Sequence, residues 1–272
     1  MFMGKHISFL MRVIGKKKQN KRPASVLLPD HVQAIFQKAA NGHLLEQVLW
    51  GKILLNSVFV QPDPAQAFTW FSIAAQTGYG PAHNMLGRCY HFGWGVDQNL
   101  SQAVHHAVHH YAKAAEAGDE WGRYNLAILY MRGLGLSQDL PKAFELFCIG
   151  AHNGHAKSMN IIARFYEEGW VIKKSKTIAF EWYRRSAESG DYRGRHNYAT
   201  ILAEQGQLSQ ALGWWEKALP DATPDILCAM NQSLAIIVHP KADIILRGIK
   251  ERLQIVLQAN KQNTMDYIGI SL

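Results

Sequence analysis

The residues best equipped for chemistry lie in one short run. His105, His106, His109 and His110 form two pairs spaced i,i+4. On a helix that spacing lets two imidazoles share one Zn²⁺ or Ni²⁺. A stable site needs a third or fourth ligand, and the sequence near the run offers only Asp97 and Glu116. The competing reading is a duplicated helical turn with its histidines toward solvent. Ala103-Val104-His105-His106 is followed by Ala107-Val108-His109-His110, which favours duplication. Other chemistry is hard to find. There is no GxSxG, and no glycine-rich phosphate loop follows a strand pattern. Glu116 and the pair Glu167-Glu168 read as surface charge on helices. No catalytic residue and no cofactor is assigned.

A second set of polar residues is spaced more regularly. Asn84, Asn125, Asn160 and Asn197 recur, each shortly before a small residue, and Arg88, Arg123, Arg164 and Arg195 accompany them. An asparagine side chain can bond a peptide backbone with both its donor and its acceptor. An arginine can grip a carboxylate with two parallel bonds. The alternative is that the asparagines satisfy polar groups between neighbouring units. Trp121 and Tyr124 lie in the same stretch and could add aromatic anchors.

Such residues need elements to position them, and composition bounds those elements. The chain has 272 residues, 48% of them hydrophobic, which is enough for a packed core. Cys89, Cys148 and Cys228 are odd in number and far apart, so they read as buried apolar residues in a reducing compartment. Of the net charge of +8, seven positive charges fall in residues 1–29, which hold no acid. The remaining +1 leaves the body without the basic patch that nucleic acid requires. The stretch Ile7–Ile14 is short, is interrupted by Arg12 and runs into Lys16-Lys17-Lys18, unlike a signal peptide. A solvated tail is the expectation for residues 1–30. A weak membrane-surface contact through residues 1–22, with Phe9, Leu10, Val13 and Ile14 beside basic residues, is the alternative.

The rest of the chain repeats. Gly42, Gly78, Gly118, Gly154 and Gly190 close similar segments and are 36, 40, 36 and 36 residues apart. The long interval contains the duplicated histidine turn. Leu86-Gly87, Tyr90 and Gly93 keep step with Leu126-Ala127, Tyr130 and Gly133, and with Ile162-Ala163, Tyr166 and Gly169. An alanine then precedes a bulky residue by three, as in Ala67/Trp70, Ala143/Leu146, Ala179/Trp182 and Ala211/Trp214. Apolar residues three and four apart predict two amphipathic helices per unit. Small residues mark close helix approach, and glycines supply left-handed helix ends. Gly93-Trp94-Gly95 and Gly133-Leu134-Gly135 read as turns between the two helices, and Asn99 and Asp139 as turn or capping residues. Trp94 and Trp170, in such turns, either fold onto the next unit or form exposed contacts.

The run Ala82-x3-Leu86-Gly87-x2-Tyr90-x2-Gly93-x-Gly95-Val96, then Ala103, then Ala114-Ala115-x2-Gly118, resembles the Sel-one-like repeat, a tetratricopeptide-like unit. The resemblance spans about residues 34–219 and is strongest over 79–190. It implies an all-α superhelix of helical hairpins and an interaction scaffold with protein or peptide ligands. The expected organisation is a basic tail over 1–30, a solenoid over 31–225 and a C-terminal helical cap over 226–272. Two helices, about 225–238 and 241–260, are predicted in the cap. The expected partner-binding face is concave and carries Asn84, Arg88, Trp121, Tyr124, Asn125, Asn160, Arg164 and Asn197. A cytoplasmic location follows from the tail and the cysteines. The alternatives are a metal-responsive protein using residues 105–110 and a peripheral membrane adaptor using the tail.

Overall fold

A computed structural model describes residues 28–56, 59–96 and 100–268, with side chains described to residue 258 in the last helix and from residue 102 after the second break. The basic tail, Asp97 and Asn99 lie outside these residues. Among the described residues the chain forms thirteen helices and no strand. They are α1 (Asp30–Ala40), α2 (Leu44–Asn56), α3 (Pro64–Ala75), α4 (Gly80–Phe92), α5 (Leu100–Glu116), α6 (Glu120–Arg132) and α7 (Leu140–His152). There follow α8 (Ala156–Glu168), α9 (Lys176–Glu188), α10 (Tyr192–Glu204), α11 (Leu208–Ala218), α12 (Pro224–Leu234) and α13 (Pro240–Ile268). The even-numbered helices open hairpins and the odd-numbered ones from α3 onward close them.

The helix starts have visible causes. Asp63, Asp139, Ser175 and Asp191 each accept a hydrogen bond from the backbone N–H three residues on. This satisfies donors that the first turn of a helix leaves unpaired. Asp139 caps as the sequence suggests, its Oδ1 lying 2.8 Å from the Lys142 nitrogen. The glycine pairs in the inter-helix turns are steric requirements and not phosphate cradles. A Cβ on Gly95 would lie 2.1 Å from the Pro64 carbonyl oxygen, and φ is +70° there. Both conditions exclude a side chain.

The helices fall into two compact units, one ending at Leu126 with Leu134–Leu136 added, the other comprising Ala127–Gly133 and Ser137 onward. In the first, Val32, Val48, Trp50, Leu54, Phe71, Met85, Leu86 and Cys89 form one core. In the second, Tyr183, Tyr198, Leu202, Leu212 and Trp215 share a core with Leu227, Met230, Leu234, Ile245 and Ile249. Helices α12 and α13 therefore bury their apolar faces with the preceding hairpins.

One expectation is refined and three need correction. Of the bulky residues three after each alanine, Trp70 and Leu146 are buried, and the residue four positions on lies deeper still. Phe71, Tyr111, Phe147, Tyr183 and Trp215 are at most 2% exposed, whereas Trp182 and Trp214 are half-buried. Ala107, not Ala103, is the counterpart of Ala67 and Ala143, so the duplication adds a turn at the start of α5. Cys228 is exposed and Cys148 half-buried, leaving only Cys89 in a core. The helix predicted over 225–238 ends at Leu234, short of His239, the residue that Pro240 keeps out of helical backbone.

Candidate functional site

The recurring asparagines sit on the hairpin-opening helices, and they meet in pairs. In the first unit Asn125 on α6 donates through Nδ2 to Oδ1 of Asn84 on α4, at 2.9 Å. In the second, Asn197 on α10 donates in the same sense to Asn160 on α8, also at 2.9 Å. Asn84 and Asn160 are buried and their partners half-buried. Each pair thus satisfies one donor and one acceptor between hairpins. The Nδ2 group of the first asparagine and the Oδ1 of the second make no further bond among the described residues, and neither atom is sealed from solvent.

The arginines are held less freely than free carboxylate clamps would be. Arg88 lies over the Trp94 ring at 5.0 Å, and Arg164 over the Trp170 ring at 5.3 Å. These cation–π contacts give each turn tryptophan an arginine of its own hairpin as partner. Arg123 pairs with Glu120 at 3.0 Å and donates to the Ala115 carbonyl, and Arg195 donates to the Lys217 carbonyl. Trp121 is half-exposed and meets Tyr124 edge to face at 6.4 Å.

The histidine turn does not converge on one point. His105, His106 and His109 are exposed. His106 and His110 stack on Tyr90, with ring centres at 4.8 and 5.6 Å. His110 is half-buried and its Nδ1 lies 3.1 Å from Nδ1 of His83 on α4, one donating to the other. The turn therefore faces solvent at three of its four histidines, and only His110 is half-buried, against Tyr90 and His83. Burial, with His83 and other positive neighbours, lowers the His110 pKa to about 4. Among the described residues no three His, Cys, Asp or Glu side chains are grouped as metal ligands would be.

One cavity was not anticipated. In the second unit, Glu167, Tyr183, His196, Asn197, Thr200, Ile201, Glu204, Ala229, Gln232 and Ser233 bound a space of ≈ 310 Å³. Its walls come from α8, α9, α10 and α12. The buried Tyr183 hydroxyl donates to Oε2 of Glu167 at 2.7 Å, which fixes that carboxylate. Burial, then this bond to Glu167, raises the Tyr183 pKa, so the phenol keeps its proton. Trp215 Nε1 donates to Nδ1 of His196 at 3.1 Å. An indole N–H can only donate, so His196 carries its proton on Nε2. Burial lowers the His196 pKa to about 4 and keeps the ring neutral. Of these residues the sequence had singled out Asn197 for binding and Glu167 as surface charge. The available signal was a recurring dipeptide, His83-Asn84 and His196-Asn197, in which both histidines are buried.

The Sel1 repeat pattern matches residues 47–79, 80–119, 122–155 and 156–191. The chain belongs to the Sel1 repeat family. Sel1 repeats are in general protein–protein interaction modules. The Sel1 chain is 28% identical over 136 residues to chitin synthase regulator SKT5 of Saccharomyces cerevisiae, 49% of this chain and 19% of that protein. It is 25% identical over 257 residues to DAP3-binding cell death enhancer 1 of Rattus norvegicus, 81% of this chain and 48% of that protein. The chain thus spans from about a fifth to about half the length of these relatives. Its structure is similar to the crystal structure of a Sel1 repeat protein from Oxalobacter formigenes. The TM-score is 0.67, covering 82% of this chain and 99% of the other at 19% identity. That likeness shows the fold, an all-α helical-hairpin solenoid.

Proposed function

We propose that this Sel1 chain is a non-catalytic scaffold that holds a protein or an extended peptide against the hairpin-opening helices. The observation that carries the reading is the asparagine pairing. Each pair keeps its shape through one internal bond and leaves one amide donor and one amide acceptor for a ligand. An extended backbone offers both a C=O and an N–H, whatever its side chains. Arg88 and Arg164, flattened on tryptophans, and the pair Trp121 and Tyr124 add contacts on the same set of helices. The names of two relatives, a binder of DAP3 and a chitin synthase regulator, fit work done by binding. The reading places the chain in the cytoplasm, where three free cysteines stay reduced.

The test is co-purification from lysate of the native cell at moderate salt, followed by mass spectrometry. The bait is the full chain, beside a variant carrying Asn125→Ala and Asn197→Ala whose helicity is checked by circular dichroism. A specific protein is expected with the parent and at least about tenfold less of it with the folded variant, given the value of two lost hydrogen bonds. No specific protein with the parent overturns the scaffold reading. Equal capture by both sinks the asparagine assignment.

A further inference from the structure

The cavity of the second unit has a composition that selects its occupant. Two carboxylates, Glu167 and Glu204, border it, and no lysine or arginine does. Glu167 spends Oε2 on Tyr183 and has Oε1 free, and Glu204 makes no ion pair among the described residues. The nearest arginine of the same helix, Arg164, is turned onto Trp170. With His196 neutral, the lining holds two carboxylates and no cationic side chain, and the nearby Arg164 acts on Tyr183 from outside it.

An acidic lining alone would say little, but His196 adds an independent donor. The residue is 8% exposed. Its Nδ1 edge is engaged by Trp215 in the core, so the edge it shows to the cavity is Nε2–H. No protein acceptor meets that donor among the described residues. That nitrogen is not sealed from solvent, so a ligand carbonyl can reach it and accept from it. An occupant that brings a cation and an acceptor together would use both the carboxylates and this donor. A polyamine has the first and lacks the second. A residue within a polypeptide has both.

We propose that this cavity receives an arginine side chain of a bound polypeptide, with the guanidinium between Glu167 and Glu204 and the backbone carbonyl of that residue on His196 Nε2–H. Arginine fits better than lysine. Its five N–H donors lie in one plane and pair with carboxylates two at a time. Asn197, Thr200, Gln232 and Ser233 also line the space, and their side-chain oxygens can act as further acceptors. A space of ≈ 310 Å³ is also far larger than an ammonium tip fills. The proposal rests on the scaffold reading, in that it names a feature of the partner, but its test is independent of capturing one.

N-acetyl-arginine N-methylamide is titrated into the ¹⁵N-labelled full chain and followed by NMR. Parallel titrations use the citrulline analogue, which has the same shape without charge, and spermidine. Saturable shifts are expected at residues 196–204 and 229–233, at millimolar ligand. The citrulline compound should bind at least about tenfold more weakly, and Glu204→Gln and Glu167→Gln should each weaken arginine binding by about tenfold, as loss of a charge-assisted bond requires. Glu204 is exposed, so that variant keeps the fold. Equal binding of citrulline, unchanged binding by both variants, or no saturable shifts overturns the proposal. Tighter binding of spermidine overturns the polypeptide source. If the arginine compound binds while co-purification yields no partner, the pocket stands and the scaffold reading falls. The converse result removes the pocket alone.

Discussion

His196 illustrates how one neighbour decides the behaviour of a side chain. Trp215 can only donate, so the histidine must accept at Nδ1 and cannot take a second proton there without losing the bond. Its pKa falls from 6.5 to about 4 in the folded chain because burial disfavours the charged ring. The unfolded chain therefore takes up this proton first as pH drops below about 6.5. The contribution to stability is at its full value above that pH, is lost down to about pH 4, and is flat below. The span corresponds to about 3 kcal/mol. Denaturant unfolding at about pH 7 and about pH 4.5 should show the parent losing more stability than His196→Gln, which keeps an acceptor for Trp215 without the titration. Equal losses in the two proteins would show that the ring is not held neutral. None of this was legible in the sequence. A histidine beside an asparagine carries no mark of the tryptophan nineteen residues away that pins it.

At the scale of the helix, the small residues were legible and the aromatic core was not. A residue at the closest point between two helices must be small, whatever surrounds it, and Gly87, Ala127, Ala163 and Ala199 recur on that account. A Cβ on Gly87 would lie 2.5 Å from the Tyr111 ring. The helical repeat of 3.6 residues falls between three and four, so positions i+3 and i+4 flank the same stripe. Which one is central depends on the facing helix, and here Tyr111 and its counterparts win because they cover these small residues. Gly87→Ala should cost about 1–3 kcal/mol as α4 is forced from α5. Gly213→Ala should act in the opposite direction. Gly213 is inside α11 with nothing within 4 Å of an added Cβ, so the gain is about 0.5–1 kcal/mol of helix propensity. Urea unfolding of the two variants checks the contrast. A loss at both positions would mean that α11 needs its glycine for a reason other than space.

At the scale of the whole molecule, a repeat is the feature a sequence exposes most readily, because the same steric demands return in register. The cavity is hidden for the complementary reason. Glu167, His196 and Gln232 belong to three hairpins and converge only when those hairpins stack. Stacking also predicts how the chain comes apart. In an array of this kind each hairpin is stabilised by its neighbours, so damage is local. The cores around Phe71 and around Trp215 share no residue. Met230 on α12 is fully buried in the second. Met230→Ala removes that side chain at a cost of about 2–5 kcal/mol. Hydrogen exchange read by mass spectrometry should then show faster exchange across α10 to α13, whose apolar residues surround the gap, with α1 to α3 unchanged. That pattern follows if opening of the second core is a sub-global event. Equal acceleration in α1 to α3 would mean that the two cores open together, and that stability in this Sel1 chain is not the sum of local hairpin contacts.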